Sequence, residues 1–386
     1  MKFLRILAPL LLLLPTPLLA QTTSADYQED AQQLIEMVQQ AYAYPERFEG
    51  GQIPVNAVLQ AQADAVGDSS SLLHFAENLL LILRDHHAIT GSSASDSWAV
   101  VPSYADLWII YRDGEYLVDA VRSASPAEQA GILPGARLTE VGGVPIAQAV
   151  DAFWNDLGDD TRDAESKAFA ARVLVAGRRD RPRILGLEGA GRDVSIELPN
   201  LYQGQQAGSE PVTVTREGNT LQVRFNDSLG NNGTIAAFDS AMEQTGDAER
   251  VLLDLTDTPS GGNTVVARGI MGWFVDQPSP YQIHTLPAEQ RQTGIARQWA
   301  EYIVPREGKN FDGHVTVRVG RWTGSMGEGL AIGLQAQGAE LEGHAMAGLL
   351  GAVYDLTTSN TGFLIKLPVE RLYTVGGVPR EDVTVP

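Results

Sequence analysis

Ser125-Pro126-Ala127-Glu128-Gln129-Ala130-Gly131-Ile132-Leu133-Pro134-Gly135 is the stretch whose reading decides the fold. Serine is a preferred N-cap and proline suits the first helical position, so the stretch opens as a short helix that stops at Gly131. Pro134-Gly135 then turns the chain into a strand, Arg137 to Val141, and Gly142-Gly143 turns it again. Before this stretch, Leu107 to Tyr111 and Tyr116 to Val121 predict two strands joined at Asp113-Gly114, a hairpin signal. After it, Ala147 to Trp154 is helical in pattern. Residues 98–155 therefore form one small mixed module, followed by a charged, helix-prone segment over 157–182 and strand-like alternation from Arg183 to Leu198. Gln203 to Glu210 reads as a linker or exposed loop.

On the N-terminal side the pattern is helical. Leu34, Val38, Ala41 and Tyr42 recur at helical spacing, Pro54 opens a second helix, and Asp68 to Ser71 caps a third. The third helix carries Leu72, Ala76, Leu79, Leu80 and Leu83 and runs into Arg84-Asp85-His86-His87. On the C-terminal side, residues 211–386 alternate strands with helices, an α/β layout. Strands are expected at Leu221 to Phe225, Val251 to Leu255 and Val315 to Val319. Helices are expected at 235–244, 264–274, 288–302 and 327–337.

Composition bounds the function. With 28 Lys+Arg against 48 Asp+Glu the formal net charge is −20, so no excess of cations exists to bind a nucleic-acid backbone. There are no cysteines, which excludes disulfides, thiolate metal sites and cysteine nucleophiles. Lys2 and Arg5, the apolar run Ile6 to Leu14 and the small residue Ala20 read as a secretory signal peptide over 1–20. The mature chain is therefore expected to be exported and without a membrane span.

Three places can carry chemistry. Ser325 follows a strand and precedes a helix in Gly320-Arg321-Trp322-Thr323-Gly324-Ser325-Met326-Gly327-Glu328. Its hydroxyl can project from the turn while the free N–H groups of the helix start face a developing oxyanion, although a serine there can equally be a plain helix cap. His87 ends a helix, where the dipole favours the protonated ring of a base, although His86 and His87 can equally be polar caps. Asp254 to Asn263 is a strand running into the Gly261-Gly262 turn, which lets backbone N–H groups approach a ligand. No spacing suggests zinc.

Taken together, these segments resemble the tail-specific, or C-terminal-processing, serine peptidase family. The resemblance spans about residue 70 to the end, and the Ser125 to Gly135 stretch is its most diagnostic part. With the signal peptide (1–20) and the N-terminal helical segment (21–97) read above, it implies a PDZ-like domain with a helical extension (98–200) and a peptidase core (211–386). That core is expected to be a crotonase- or ClpP-like spiral of α/β units. Peptidases of the Ser-Lys type carry a lysine after the serine, in a Phe-Gly-Lys-Gly setting. Here Gly343 to Gly351 has none, and the only later lysine is Lys366. Asp85-His86-His87-Ala88 instead resembles the histidine motif of the tricorn-core branch, with His86 where that branch has a serine. By that resemblance Ser325 is the nucleophile, His87 the base and Glu381 the supporting carboxylate, with Glu370 as the fallback. The oxyanion hole falls to the Met326 N–H and an N–H of Gly261 or Gly262.

The implied activity is that of an exported, periplasmic serine endopeptidase acting on peptides or unfolded segments, with no cofactor or metal. The alternative is a catalytically silent, PDZ-bearing, peptide-binding relative. An α/β-hydrolase esterase fits less well, because the Gly-x-Ser-x-Gly pattern has Thr323 at its first position and that fold needs Asp then His after the serine. A crotonase-type coenzyme A enzyme conflicts with export. A PDZ module implies recognition of an extended peptide as an added strand. Its carboxylate loop would fall at Tyr104 to Leu107, where Asp106 would repel a peptide C-terminus. Finally, Ile283 to Glu307 is expected to be a lid or pocket wall with Trp299 or Tyr302 facing the cleft, or else an outer packing helix.

Overall fold

Four parallel strands, Thr220–Phe225, Arg250–Asp254, His314–Val319 and Glu340–Gly343, form the centre of the C-terminal half. Val212–Glu217 adds an antiparallel edge. Parallel strands need crossovers, and the helices Gly233–Met242, Thr264–Met271 and Met326–Ala336 lie in the three connections. Leu221, Val223, Val251, Leu253, Val317 and Val319 alternate into a buried cluster with Ile270, Leu330 and Leu334. In such sheets the loops at the carboxyl ends of the strands are where ligands bind. The loops after Asp254 and Val319 leave side by side and are tied by a Thr258–Thr323 bridge.

The computed structural model describes residues 22–160, 162–189, 192–202 and 210–386. The expected signal peptide over 1–20 and most of the 203–210 linker lie outside the described residues. No helix among the described residues is long and apolar enough to cross a membrane.

The N-terminal helices are Ser24–Ala41, Ala57–Asp64 and Ser69–Leu81, with Thr23, Asn56 and Asp68 as N-caps. Leu34, Val38, Leu72, Leu79 and Leu83 pack in one cluster with Ile365, Leu367 and Val369 of the long strand Leu364–Tyr373. Ile89–Thr90 pairs with that strand. The first and last parts of the chain thus share a sheet and a core. Asp30 fixes the junction, accepting from the Thr358 hydroxyl (2.7 Å), the Thr361 hydroxyl (2.6 Å) and the N–H groups of Asn360 (3.1 Å) and Thr361 (2.8 Å).

The middle module is a six-stranded antiparallel sheet of Leu107–Arg112, Glu115–Val121, Arg137–Val141, Val144–Pro145, Arg183–Gly189 and Arg192–Leu198. The hairpin turns at Asp113 (φ 54) and Gly114 (φ 87), as the Asp-Gly signal predicts. Helix Pro126–Gln129 is capped by Ser125 and stops before Gly131, and helix Ile146–Asp156 packs on the sheet. Helix Ala164–Ala176 lies along strand Leu107–Arg112: Arg172 donates to the Ile109 carbonyl, and Lys167 sits 4.6 Å over the Tyr111 ring. Asp106 does not face a peptide terminus. It is buried in a two-pronged pair with Arg183 (2.6 and 2.9 Å) and also accepts the Ala127 N–H.

Two expectations fail in the C-terminal half. Residues 288–302 are not one helix: Pro287–Thr293 is helical, but Gln298–Ile303 is a strand paired antiparallel with Ser279–Thr285. The β-branched and aromatic residues of 298–303 find a partner strand, and that pairing outweighs the weak helical stripe. The outer-helix alternative falls with it.

Burial alone raises the Asp30 carboxyl, but its hydroxyl and N–H donors prevail and hold it below the usual range. Asp30→Ala should therefore cost about 2–4 kcal/mol in denaturant unfolding at pH 7. Because the folded value is depressed, that contribution is present above the unfolded carboxylate range. The gap between parent and variant should close as pH falls through the folded value.

Candidate active site

Strand His314–Val319 delivers the turn that carries Ser325. Thr323 is fully buried and its hydroxyl donates to the Leu255 carbonyl (2.8 Å), while the Trp322 indole donates to the Ala105 carbonyl (2.7 Å). These anchors hold Ser325 at φ 50, ψ −114, a left-handed conformation that costs a non-glycine residue about 1–3 kcal/mol. Its hydroxyl lies 2.9 Å from His87 Nε2, bridging 238 positions of sequence.

His87 is positioned from behind. Asp85 accepts the His87 backbone N–H at 2.9 Å and the Tyr42 hydroxyl at 2.9 Å, and Arg47 donates to the Tyr42 oxygen at 3.1 Å. His86 turns away from Ser325. It accepts from Arg172 Nε at 2.9 Å and stacks on Phe169 at 4.3 Å. The His87 ring directs Nδ1 at the Leu350 carbonyl, 2.7 Å away. A carbonyl only accepts, so Nδ1 carries the proton and Nε2 is left as the acceptor facing the serine hydroxyl. Burial and the neighbouring Arg380 push the ring down to about 4. The helix-end dipole does not keep it protonated, contrary to expectation, because the desolvation of a buried ring outweighs a fractional end charge.

The Leu350 carbonyl is itself held. Glu328, third residue of the nucleophile's helix, accepts the Gly348 N–H (2.9 Å), the Leu349 N–H (3.2 Å) and the Ser325 N–H (2.8 Å). Arg380 donates to the carbonyls of Leu349 and Gly351, both at 2.7 Å, and stands 3.9 Å from Glu328. Both side chains are buried. Burial pushes Glu328 up to about 7, while Arg380 and the three N–H donors pull it back.

Glu381 makes no hydrogen bond to the ring, because Leu350 occupies Nδ1. Of the two ways in which Glu381 was expected to hold the ring, directly or through an intermediate group, the direct one is not made: a backbone carbonyl takes that place. The Glu381 Oε2 is buried without a hydrogen-bond partner among the described residues. Glu370, the fallback, belongs to another pair: it accepts from His284 Nδ1 at 2.7 Å and from the Tyr354 hydroxyl. Lys366 pairs with Asp355 at 2.6 Å.

Gly261 (φ 62) presses its backbone on the nucleophile. A Cβ there would lie 2.9 Å from Ser325 Oγ and 2.7 Å from Met326 N, so only glycine fits. Its own N–H, however, donates to the Thr258 carbonyl at 3.1 Å. Gly261 therefore shapes the pocket and is corrected as a donor. Gly262 makes none of the turn's backbone hydrogen bonds through its N–H, and the Met326 N–H opens a helix and has no partner within it. Among the described residues neither N–H has a backbone partner, and both residues line the pocket that Ser325 also lines.

Ser325, Met326 and Gly262 line a pocket of about 390 Å³ with Trp299, His284 and Glu370. The Ile283 to Glu307 segment thus supplies a wall of this pocket through Trp299, whereas Tyr302 is exposed. Among the described residues no group of three or more side chains is placed to hold a metal ion.

Glu328→Gln should keep the size of the side chain but bring an N–H₂ against three N–H donors and leave Arg380 without its counter-charge. We expect a loss of about 3–5 kcal/mol in unfolding free energy, measured by chemical denaturation. In the parent protein, the His87 ring should titrate by NMR near pH 4.

A PDZ-domain family model matches residues 117–153. No curated protein matches the chain in sequence. Solved structures do match along nearly its whole length. Mature CPAF superposes with a TM-score of 0.58 at 15% identity, covering 94% of this chain and 92% of that one. The photosystem II D1 C-terminal processing protease gives 0.56 at 17% identity, with 93% and 91% covered. A lipoprotein from Streptococcus agalactiae gives 0.51 at 9% identity, with 96% and 93% covered. At these identities the likeness is one of fold: the chain carries a PDZ domain and has the mixed α/β fold of the C-terminal processing proteases.

Proposed function

We propose that this protein is a serine peptidase that hydrolyses peptide bonds by a Ser325–His87 pair. The observation that carries the reading is the 2.9 Å contact between the Ser325 hydroxyl and the unprotonated His87 Nε2, with Nδ1–H locked on Leu350. Serine is a weak nucleophile until a base takes its proton. His87 removes that proton as Oγ attacks the scissile carbonyl, forming a tetrahedral intermediate. The N–H groups of Met326 and Gly262 receive the oxyanion. His87 then protonates the leaving amine, and water hydrolyses the acyl-enzyme by the same steps in reverse order. Losing one oxyanion donor typically costs ~100–1000-fold. Burial raises the Asp85 carboxyl and the Tyr44 hydroxyl, and Glu381 raises both further. Any part Glu381 takes in holding His87 is assigned to Asp85 as the intermediate group, which accepts the His87 backbone N–H.

Substrates are peptides or unfolded protein segments. Export to the periplasm is proposed on the Lys2 to Ala20 pattern alone.

Ser325→Ala and His87→Ala should each lower peptide hydrolysis by about 10⁴-fold or more without loss of fold. Lys366→Ala should retain most activity, and a fluorophosphonate should label Ser325. Retained turnover in Ser325→Ala would remove the nucleophile from the reading. The neutral ring is the active base, so kcat/KM should rise as pH increases through about 4 and be level by pH 6.

A further inference from the structure

Strand Ser279–Thr285 is the middle one of three. It pairs with Gln298–Ile303 on one side and with Leu364–Tyr373 on the other, and His284 lies opposite Trp299 in the first pairing and Leu372 in the second. Alternate residues of a strand share a face, so Gln282, Glu301 and Glu370 come to the face that carries His284. All of these line the pocket beside Ser325, Trp299 included. The proposed hydrolytic steps use none of them.

His284 is buried with a carboxylate at each ring nitrogen. Nδ1 lies 2.7 Å from Glu370 and Nε2 3.3 Å from Glu301, and the ring stacks on the Trp299 indole with centroids 5.0 Å apart. A neutral imidazole has one N–H and serves one carboxylate, whereas an imidazolium has two and serves both. Nε2 also stands 3.0 Å from the Gln282 amide nitrogen, which donates to Glu301 at 3.1 Å. Once Nε2 has lost its proton it accepts from Gln282, and its bond to Glu301 is gone. The proton thus chooses between two partners for Nε2. It also sets the stacking, because an imidazolium attracts an indole face as a cation and a neutral ring does not.

Other charges face the ring from every neighbouring element. Arg268 pairs with Glu301, Arg297 sits 5.2 Å over the Trp299 ring, and Arg380 is matched by Glu328; guanidinium groups do not deprotonate in proteins. Glu370 accepts from the Tyr354 hydroxyl as well as from His284. Burial raises the Tyr281 and Tyr354 hydroxyls, Tyr354 to about 12. Burial alone also raises Glu301, but its hydrogen-bond donors prevail and hold it down to about 2. On His284 burial acts downward, but Glu301 and Glu370 prevail and hold the ring above the usual imidazole range.

We propose that His284 is a positioning residue: its imidazolium braces three strands into one wall of the Ser325 pocket, and loss of its proton loosens Trp299 on that wall. Below the midpoint of its titration both carboxylates are bridged. As pH rises through the midpoint, the Glu301 bond and the attraction to Trp299 are lost together. On the reading proposed above, KM then rises while the proton transfer through His87 is untouched.

The test titrates tryptophan emission over about pH 5 to 9, a span that brackets the imidazole range. The samples are the parent, His284→Gln, Glu301→Gln and Trp299→Phe. We expect one component of the parent's emission to change with a midpoint above the ordinary imidazole value. It should be absent from His284→Gln and Trp299→Phe, and its midpoint should fall in Glu301→Gln. Peptide hydrolysis by the parent should show KM rising by about three- to tenfold through the same midpoint. His284→Gln should have that higher KM at every pH. An emission component that persists in His284→Gln, no component at all, or a KM that stays flat through the midpoint overturns the proposal. If circular dichroism shows that His284→Gln has lost its fold, an unchanged midpoint in Glu301→Gln overturns it. If no peptide is cleaved but the emission behaves as expected, the brace stands and the peptidase reading falls.

Discussion

Arg380 and Glu328 form a buried pair that fixes one carbonyl oxygen, and the site depends on it. Glu328 clamps the N–H groups of 348 and 349, and Arg380 clamps the carbonyls of 349 and 351. The Leu350 carbonyl lies between these anchored groups and faces the His87 ring. Gly351 (φ 52) is part of the constraint, because a Cβ there would lie 2.0 Å from the Glu370 carbonyl oxygen. Glu328 also accepts the Ser325 N–H, so a single carboxylate sets the nucleophile turn and the loop that orients the base. Burying such a pair costs desolvation energy that the charges regain only with full hydrogen bonding. Here the backbone supplies most of that bonding, which explains why loop 348–351 can be well fixed without regular secondary structure.

A carbonyl in place of a carboxylate behind the histidine has an electrostatic consequence. A carboxylate would stabilise the imidazolium strongly, whereas a carbonyl supplies only a dipole, and Arg380 opposes the charge. The ring is therefore kept neutral and available across ordinary pH, as a weaker base than an unperturbed imidazole. On the proposed reading, precise placement against Ser325 supplies what basicity does not. The strained Ser325 backbone and the close approach of Gly261 fit that requirement, since both fix the hydroxyl before substrate arrives.

What could be read in the sequence divides along one physical line. Elements that depend on local residue chemistry were legible: the Asp113-Gly114 hairpin, the Ser125-Pro126 helix start, and Ser325 on its strand-to-helix turn. His87 was legible through its motif, and the structure brings it to Ser325. The partner of its Nδ1 was not, because a backbone carbonyl has no residue signature and Leu350 looks like any core leucine. Residues 298–303 were misread because Trp299, Ile303 and their neighbours fit a weak helical stripe. Only the distant strand 279–285 decides the matter. His284 and Glu370 stood singly in the sequence, 86 positions apart, and only the sheet sets them in contact. Asp106 looked like a repulsive carboxylate in a peptide-binding loop because its partner Arg183 lies 77 residues on.

The PDZ module is tied to the candidate site at the Ser325 turn and at the Gly261 loop. Asp119 pairs with Arg321 at 2.7 Å and Ala105 accepts from Trp322, so the module grips the turn before Ser325. Arg122 pairs with Asp257 at 2.7 Å, and Ser260 donates to the Ser103 hydroxyl at 3.0 Å, so it also grips the loop before Gly261. On the other side, Arg172 of the module's helix donates to His86, next to the base. The partly exposed ion pairs among these are each worth little. Trp322, Ala99, Val101, Ala105, Trp108 and Leu349 are nevertheless buried together between the module and the core, and that packing makes the contacts act as one body. Moving the module would have to open this cluster and shift residues beside Ser325, Gly261 and His87 at once. Helix Ala164–Ala176 lies along strand Leu107–Arg112. The pocket beside Ser325, where sheet, loop and the helix Met326–Ala336 converge, is therefore held by packing in which the module takes part.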